Sequence, residues 1–372
     1  MYGLFHSGYE AQRWQVFVVY IIITWMCCLL VAFGNRTLPA VEALGGTLVI
    51  LGFIVTVVVC AVMPHRNGQP YASDSFVWRD WQNDTGWSSN GLVFCLGMLN
   101  GAFAVGTPDV ISHMAEEVPR PGRNIPLGIL AQYVLGFITA LFFAIGIFYS
   151  IHDLDAVTQS SDLFPLAEIY RQSTGSAGGS LGLLIVAMVP LLAATIGCYL
   201  SSSRVFWTLA RDNATPFGGF FSRINHTFRN PLNSVLLCGV ICTILGCIYV
   251  GNSTAFSAFV TSFVVLSTLS YLAAILPHLL TKRANLQPGW FWMQGPIGFV
   301  VNAISSLYIM AFVVLFCFPF ELPVDAEGMN YSCLIAGGLS IFVAAFWFWR
   351  QKDYVGPRKV TVDNDLLERD AI

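Results

Sequence analysis

Uncharged apolar stretches of about 20 residues recur from one end of this 372-residue chain to the other, and no other feature limits its folding as tightly. Nine stand out, at about 14–33, 43–63, 91–114, 126–150, 181–202, 233–250, 255–279, 296–318 and 331–349. Each is long enough to cross a hydrocarbon layer of roughly 30 Å. Lipid offers a backbone amide no partner, so a crossing segment is either a helix or a strand of a closed barrel. These runs lack the period-two alternation of a barrel strand. The fold class expected is therefore all-α integral membrane, with nine transmembrane helices in one domain over 1–350 and a C-terminal tail over 351–372. Composition agrees: 56% of the residues are hydrophobic and only 10% charged, against about a quarter charged in soluble domains. A water-soluble enzyme is excluded, and a net charge of −3 gives no footprint for nucleic acid.

Orientation follows from where the positive residues fall. One side of the nine-span map holds Arg36, Arg120, Arg123, Arg204, Arg211, Arg223, Arg229, Lys282, Arg283, Arg350, Lys352, Arg358, Lys359 and Arg369, which is 14 of the 18 Lys and Arg. The other holds Arg13, Arg66, Arg79 and Arg171. The first side, with loops 115–125, 203–232 and 280–295 and the tail, is expected in the cytoplasm, with the plasma membrane as the default compartment. The N-terminus then lies outside with nothing ahead of it to export it, and the chain is expected to be the later part of a longer protein. Asn83-Asp84-Thr85 is a glycosylation sequon on the outer face. The sequons at Asn252 and Asn330 hug span ends and are harder to modify.

The ten cysteines all fall in or at the ends of apolar runs and read as small buried hydrophobes. No Cys-x-x-Cys pair or His cluster accompanies them, so no metal or cofactor is assigned. No nucleophile or paired carboxylates occur within the spans, so no catalytic residue is assigned either.

The third span departs from a plain anchor. Gly97, Gly101 and Gly106 thin it, then Thr107-Pro108-Asp109 supplies a cap, a residue pre-set for the first helical position and an acid for the first turn. A helix-start signature in mid-membrane predicts an unwound stretch near Val105 to Thr107 and a second helical segment after it, a broken helix over about 91–114. Backbone unpaired at that depth is tolerated only where it faces protein or a wet cavity, and interrupted helices are how secondary transporters build midplane sites. Phe103, Ala104, Val105, Gly106, Thr107 and Asp109 are accordingly the candidate substrate-binding set.

Asp109 reads as the one carboxylate well inside a span, either as a counter-charge for a cation or proton or as a complement to the new helix's positive end. His113, four residues on and on the same face, either relays protons or is hydrogen-bonded in the packing. Glu116 and Glu117 either pair with nearby arginines in a solvated loop or act as a gate that exchanges ion pairs. The ring faces of Phe103 and Trp207 suit a quaternary ammonium.

Four segments, HMAEEVPRPGRNIP from residue 113, IHDLDAV from 151, SSSRVFWTLARDNATP from 201 and FPFELPVDAEGMNY from 318, resemble the fungal amino acid/choline/GABA permeases of the amino acid-polyamine-organocation superfamily. The resemblance covers nearly the whole chain. It implies a twelve-helix inverted-repeat fold, the nine spans corresponding to helices 4–12 and the broken one to helix 6, with helices 1–3 absent. It also implies proton-coupled movement of a small cationic or zwitterionic nitrogenous solute, such as choline, GABA or an amino acid, across a lipid bilayer. Two other functions remain open: export of a fungal nitrogenous metabolite, and a truncated, non-transporting or regulatory paralogue. The stretch from Arg204 to Asn213 corresponds to the family's cytoplasmic loop after helix 8. With Arg204 and Arg211 on one helix face, it is expected to be structural.

Overall fold

Where the chain turns, short polar side chains do the work. Ser89, Ser176 and Asn252 accept the backbone N–H of Leu92, Gly179 and Ala255 respectively, and so open three helices. Asn252 alone separates two spans. The computed structural model describes residues 2–6, 9, 11–158, 164–283, 288–326 and 328–354, so most of the expected tail lies outside the described residues. In chain order the helices are α1 (Arg13–Phe33), α2 (Leu38–Arg66), α3 (Asp74–Trp78), α4 (Asn90–Ala104), α5 (Pro121–Tyr149), α6 (Leu154–Thr158), α7 (Pro165–Thr174), α8 (Ala177–Arg211), α9 (Gly218–Phe221), α10 (Leu232–Gly251), α11 (Ser253–Leu280), α12 (Gly295–Leu315) and α13 (Ser332–Arg350). Among them α1, α2, α5, α8, α10, α11, α12 and α13 are long and apolar enough to cross a membrane. The third expected span stays α-helical only as far as Ala104.

Three boundaries differ from expectation for one reason, that the sequence reading begins and ends each span at its nearest charge. Helix α5 starts at Pro121 rather than 126 and takes in Arg123. Helix α2 starts at Leu38 rather than 43 and takes in Glu42. Helix α8 runs through Arg204 to Arg211 rather than stopping near 202. Its 35 residues reach about 52 Å at 1.5 Å per residue, well beyond the hydrocarbon, so its charged last turns stand clear of lipid.

Helix α8 is the axis of the bundle. Its Ile196, Tyr199 and Leu200 pack with Cys27, Cys28, Val31 and Ala32 of α1, Leu38 of α2 and Val235 of α10. Toward its other end, Leu183 and Leu184 pack with Cys60 of α2 and Ala167 and Tyr170 of α7. A separate core joins Val264 and Val265 of α11 to Phe316 and to Ala336 of α13. Small residues let the helices close in: a Cβ on Gly45 would collide with the Ala193 side chain. Large apolar side chains such as Val134, Phe137 and Phe142 of α5 stand exposed, as a lipid-facing surface requires. The cysteines divide the same way. Cys27, Cys28 and Cys60 are buried, but Cys247 and Cys333 are exposed, because an apolar span has an outer face as well as an inner one.

Contacts sort the loops into two ends. At one end Asn35 donates to the Arg229 carbonyl, Glu117 meets Arg204, Glu116 meets Arg211, and Arg123 lies over Trp290. At the other, the Ala72 amide donates to Tyr149 and the Leu322 amide to Thr85. These are the same two groups of loops that the positive charges separate.

At this second end α6 and α7 form a cap beside His152, whose two ring nitrogens are buried without hydrogen-bond partners. Burial holds its pKa below the ordinary value of 6.5. The unfolded chain therefore takes up the proton first, so cap stability is constant above about pH 6.5, falls as pH drops through that value, and levels off below the depressed folded value. Hydrogen exchange of the amides in 164–174, corrected for intrinsic rates, is expected to speed up at about pH 5 relative to neutral pH. The change should vanish in His152→Phe.

Candidate functional site

The helix breaks where the sequence thins it. The Val105 amide makes the last i→i+4 bond of α4, to Gly101, and the Gly106 amide bonds back only three residues, to Phe103. Gly106 has no room for a side chain: a Cβ there would lie 3.0 Å from the Phe263 ring and 3.1 Å from the Ala102 carbonyl. Pro108 then withholds an N–H, and the exposed Thr107 carbonyl is met from α5 by the Gln132 amide at 3.5 Å.

The second segment differs from the expected α-helix. Val110, Ser112, Met114, Ala115 and Glu117 bond back three residues, and Ser112–Met114 forms a 3-10 helix. Ser112 Oγ donates to the Asp109 carbonyl at 2.7 Å, competing with the α-helical ladder, and Pro119 and Pro121 leave little length to recover. With no α-helix beginning at Thr107, Asp109 has no helix dipole to complement.

A cavity of about 740 Å³ opens at the break. Phe103, Gly106, Thr107, Asp109 and His113 line it, facing Cys198, Ser201 and Ser202 of α8, Cys238 of α10, and Phe263 and Ser267 of α11. Ala104 and Val105, expected with the binding set, are not on its wall. Phe103 and Phe263 meet edge to face, with centroids 5.7 Å apart.

Asp109 is not isolated. Its Oδ1 accepts from the Tyr271 hydroxyl of α11 at 2.7 Å, and its Oδ2 lies 3.1 Å from His113 Nε2. His113 Nδ1 is in turn 2.8 Å from Ser201 Oγ of α8. Tyr271, Asp109, His113 and Ser201 thus form one hydrogen-bonded line from α11 through the break to α8. Both Asp109 and His113 remain about one-third exposed, which leaves the pair within reach of a cavity occupant. Tyr271 and Ser201 carry no sequence signal, since single hydroxyls are common in spans.

Glu116 and Glu117 do pair with arginines, and these partners lie on α8. Glu116 Oε1 lies 2.9 Å from Arg211 Nη2 and Glu117 Oε1 lies 2.6 Å from Arg204 Nε. The Arg211 guanidinium holds the Glu116 carboxyl below its usual range. Arg204 is buried and also donates to Asn230 Oδ1 at 2.7 Å. Asn230, fully buried, donates to the carbonyls of Val31 and Ala32. Trp207 is away from the cavity: its Nε1 donates to Ser222, and the Arg211 guanidinium already sits over its ring, 4.8 Å from the centroid.

Among the described residues no group of three His, Cys, Asp or Glu is placed to hold a metal ion. The Asn83 amide is half-buried and donates to Trp87 and Asn90. Asn330 is buried and spent on the Phe316 and Phe318 carbonyls.

A sequence profile of the family described as amino acid permease matches residues 1–339. The choline transporter of Saccharomyces cerevisiae is 31% identical over 352 residues, covering 95% of this chain and 62% of its own length. The 7-keto 8-aminopelargonic acid transporter of the same yeast is 28% identical, with 90% and 63% covered. An amino-acid permease of Arabidopsis thaliana is 24% identical, with 94% and 69% covered. The chain spans just over three-fifths of the length of the two yeast relatives.

Proposed function

The chain belongs to the amino acid permease family, and from that premise we propose that it serves secondary transport of a small nitrogenous solute, coupled to protons, through the cavity at the α4 break. The observation that carries this reading is a carboxylate on an interrupted helix, inside a membrane bundle, facing a cavity of about 740 Å³. A charge at that depth is retained only with a partner. Tyr271 and His113 hold it between visits, and an incoming ammonium group replaces or joins them. Phe103 and Phe263 on the same wall suit a methylated or primary ammonium, whose charge a ring attracts. Choline, GABA and amino acids are the candidate substrates, cationic or zwitterionic in each case. The proton travels on the Asp109–His113 pair, the junction in the line that joins a carboxylate to an imidazole.

Glu116–Arg211 and Glu117–Arg204 act as the gate on the charged side. They tie the segment after the break to the end of α8, so opening a path there separates them. The plasma membrane is the proposed location, and Asn83 the proposed glycan site on its outer face.

The test is uptake of labelled choline, GABA and amino acids by permease-deficient cells expressing the protein. Saturable uptake of one of them, faster with acid outside, is expected. Outward movement of preloaded solute without uptake selects the exporter reading. No saturable flux in either direction from protein that reaches the surface overturns the proposal and leaves the regulatory reading.

A further inference from the structure

A second carboxylate lies inside the bundle, and neither the cavity wall nor the Asp109 line uses it. Glu42 sits near the start of α2. Its Oε1 is closed off from solvent and has no hydrogen-bond partner, and the side chain joins no ion pair among the described residues. The neighbouring helix makes room for it: a Cβ on Gly197 of α8 would stand 3.4 Å from both carboxylate oxygens. The next residue, Cys198, lines the cavity, and Ser201, one turn further along α8, bonds to His113. The two carboxylates therefore reach the same helix one turn apart, Asp109 by way of His113 and Glu42 directly.

Among the described residues, the groups packed around α2 leave Glu42 without a counter-charge. From α8 the Cys198 thiol faces it. From α5, Arg123 is stacked on Trp290 and Tyr133 lies near Asp109. From α7, Glu168 and Arg171 are paired with each other, and Tyr170 is buried against Cys60 at the far end of α2. Arg36, in the link before α2, is exposed. A carboxylate ion with a dry, unpartnered oxygen in a membrane bundle is strongly disfavoured, whereas the neutral acid leaves only weak dipoles unpaired.

We infer that Glu42 is a proton-binding site of this chain, which carries its proton at neutral pH and releases it when the α2–α8 seam opens to water. The inference stands on the α2–α8 geometry and does not require that the protein transport anything. In a transporting protein it makes the position of α8 sensitive to two acids rather than one.

Infrared pH titration of the purified full chain in lipid nanodiscs tests it. A protonated-carboxyl band present at about pH 7 is expected to be lost in Glu42→Gln, retained in Asp109→Asn, and retained with a shift in Glu42→Asp. Glu42→Gln mimics the neutral acid, so its melting temperature at neutral pH is expected to match the wild type. The inference is overturned if the band survives in Glu42→Gln, if it is absent from the wild type, if Asp109→Asn alone removes it, or if Glu42→Gln melts far below the wild type. Absence of transport alongside the expected infrared result counts against the proposed function alone.

Discussion

Asn230→Leu is expected to destabilise the protein by about 3–5 kcal/mol, because it removes an acceptor from a charged donor, about 1.5–3 kcal/mol, and leaves buried carbonyls without a donor, roughly 1–3 kcal/mol. The substitution acts on two sides. The Arg204 guanidinium, 6% exposed, loses the Oδ1 acceptor at 2.7 Å and keeps only Glu117. The Val31 and Ala32 carbonyls at the end of α1 lose the donor that reaches them, and buried polar atoms left unmet carry the full desolvation cost. Leucine keeps the branched outline and is no smaller, so a cavity does not confound the result. Glu117→Gln is the control: that carboxylate is half exposed, and water takes its place at small cost. Melting in a fixed detergent, followed by loss of the monodisperse peak, is expected to show a large drop for Asn230→Leu and a small one for Glu117→Gln. Equal drops would mean that Asn230 does not anchor the buried arginine.

Asp109→Asn is expected to have the largest effect on function. Asparagine keeps the shape and still accepts from Tyr271, but it brings no charge to an ammonium group or to His113. Removing one partner of a desolvated charged contact costs about 2–5 kcal/mol, which is roughly a 30-fold loss of apparent affinity or more. Uptake by an active form should lose its dependence on external pH along with its affinity. Tyr271→Phe leaves the charge and removes one donor of about 1.5–3 kcal/mol, so it should weaken uptake less and preserve the pH dependence. If Asp109→Asn leaves both unchanged, the counter-charge role is wrong and Asp109 is a packing residue.

The spans were legible because lipid demands an uninterrupted apolar helix, and the break was legible because Gly106 and Thr107-Pro108 are poor helix interior at any depth. The two ends of the bundle were legible from Lys and Arg. What followed the break was not: the helix-start signal at Thr107-Pro108-Asp109 is real chemistry, but Ser112 and the downstream prolines turn the segment to 3-10 and turns. Glu42 escapes a reading of the sequence that begins each span after its nearest charge. The α8 extension was missed because Arg204 was taken as an end, whereas its partners Glu117 and Asn230 lie 87 and 26 residues away. Trp207 was a reasonable cation seat by composition, yet Arg211, one helical turn on, occupies it. Tyr271 could not be singled out, since its meaning comes from a contact 162 residues away in sequence.

The account depends on the break facing a wet site that solute enters. Thr107→Cys, read by peptide mass spectrometry after treatment with a small hydrophilic thiol reagent, tests that most directly, with Val134→Cys on the exposed face of α5 as the lipid-facing comparison. Labelling at 107 is expected to be fast, and to slow when saturating transported solute is present, while 134 stays unreactive throughout. Labelling at 107 no faster than at 134, or unaffected by solute, would contradict a substrate site at the interrupted helix.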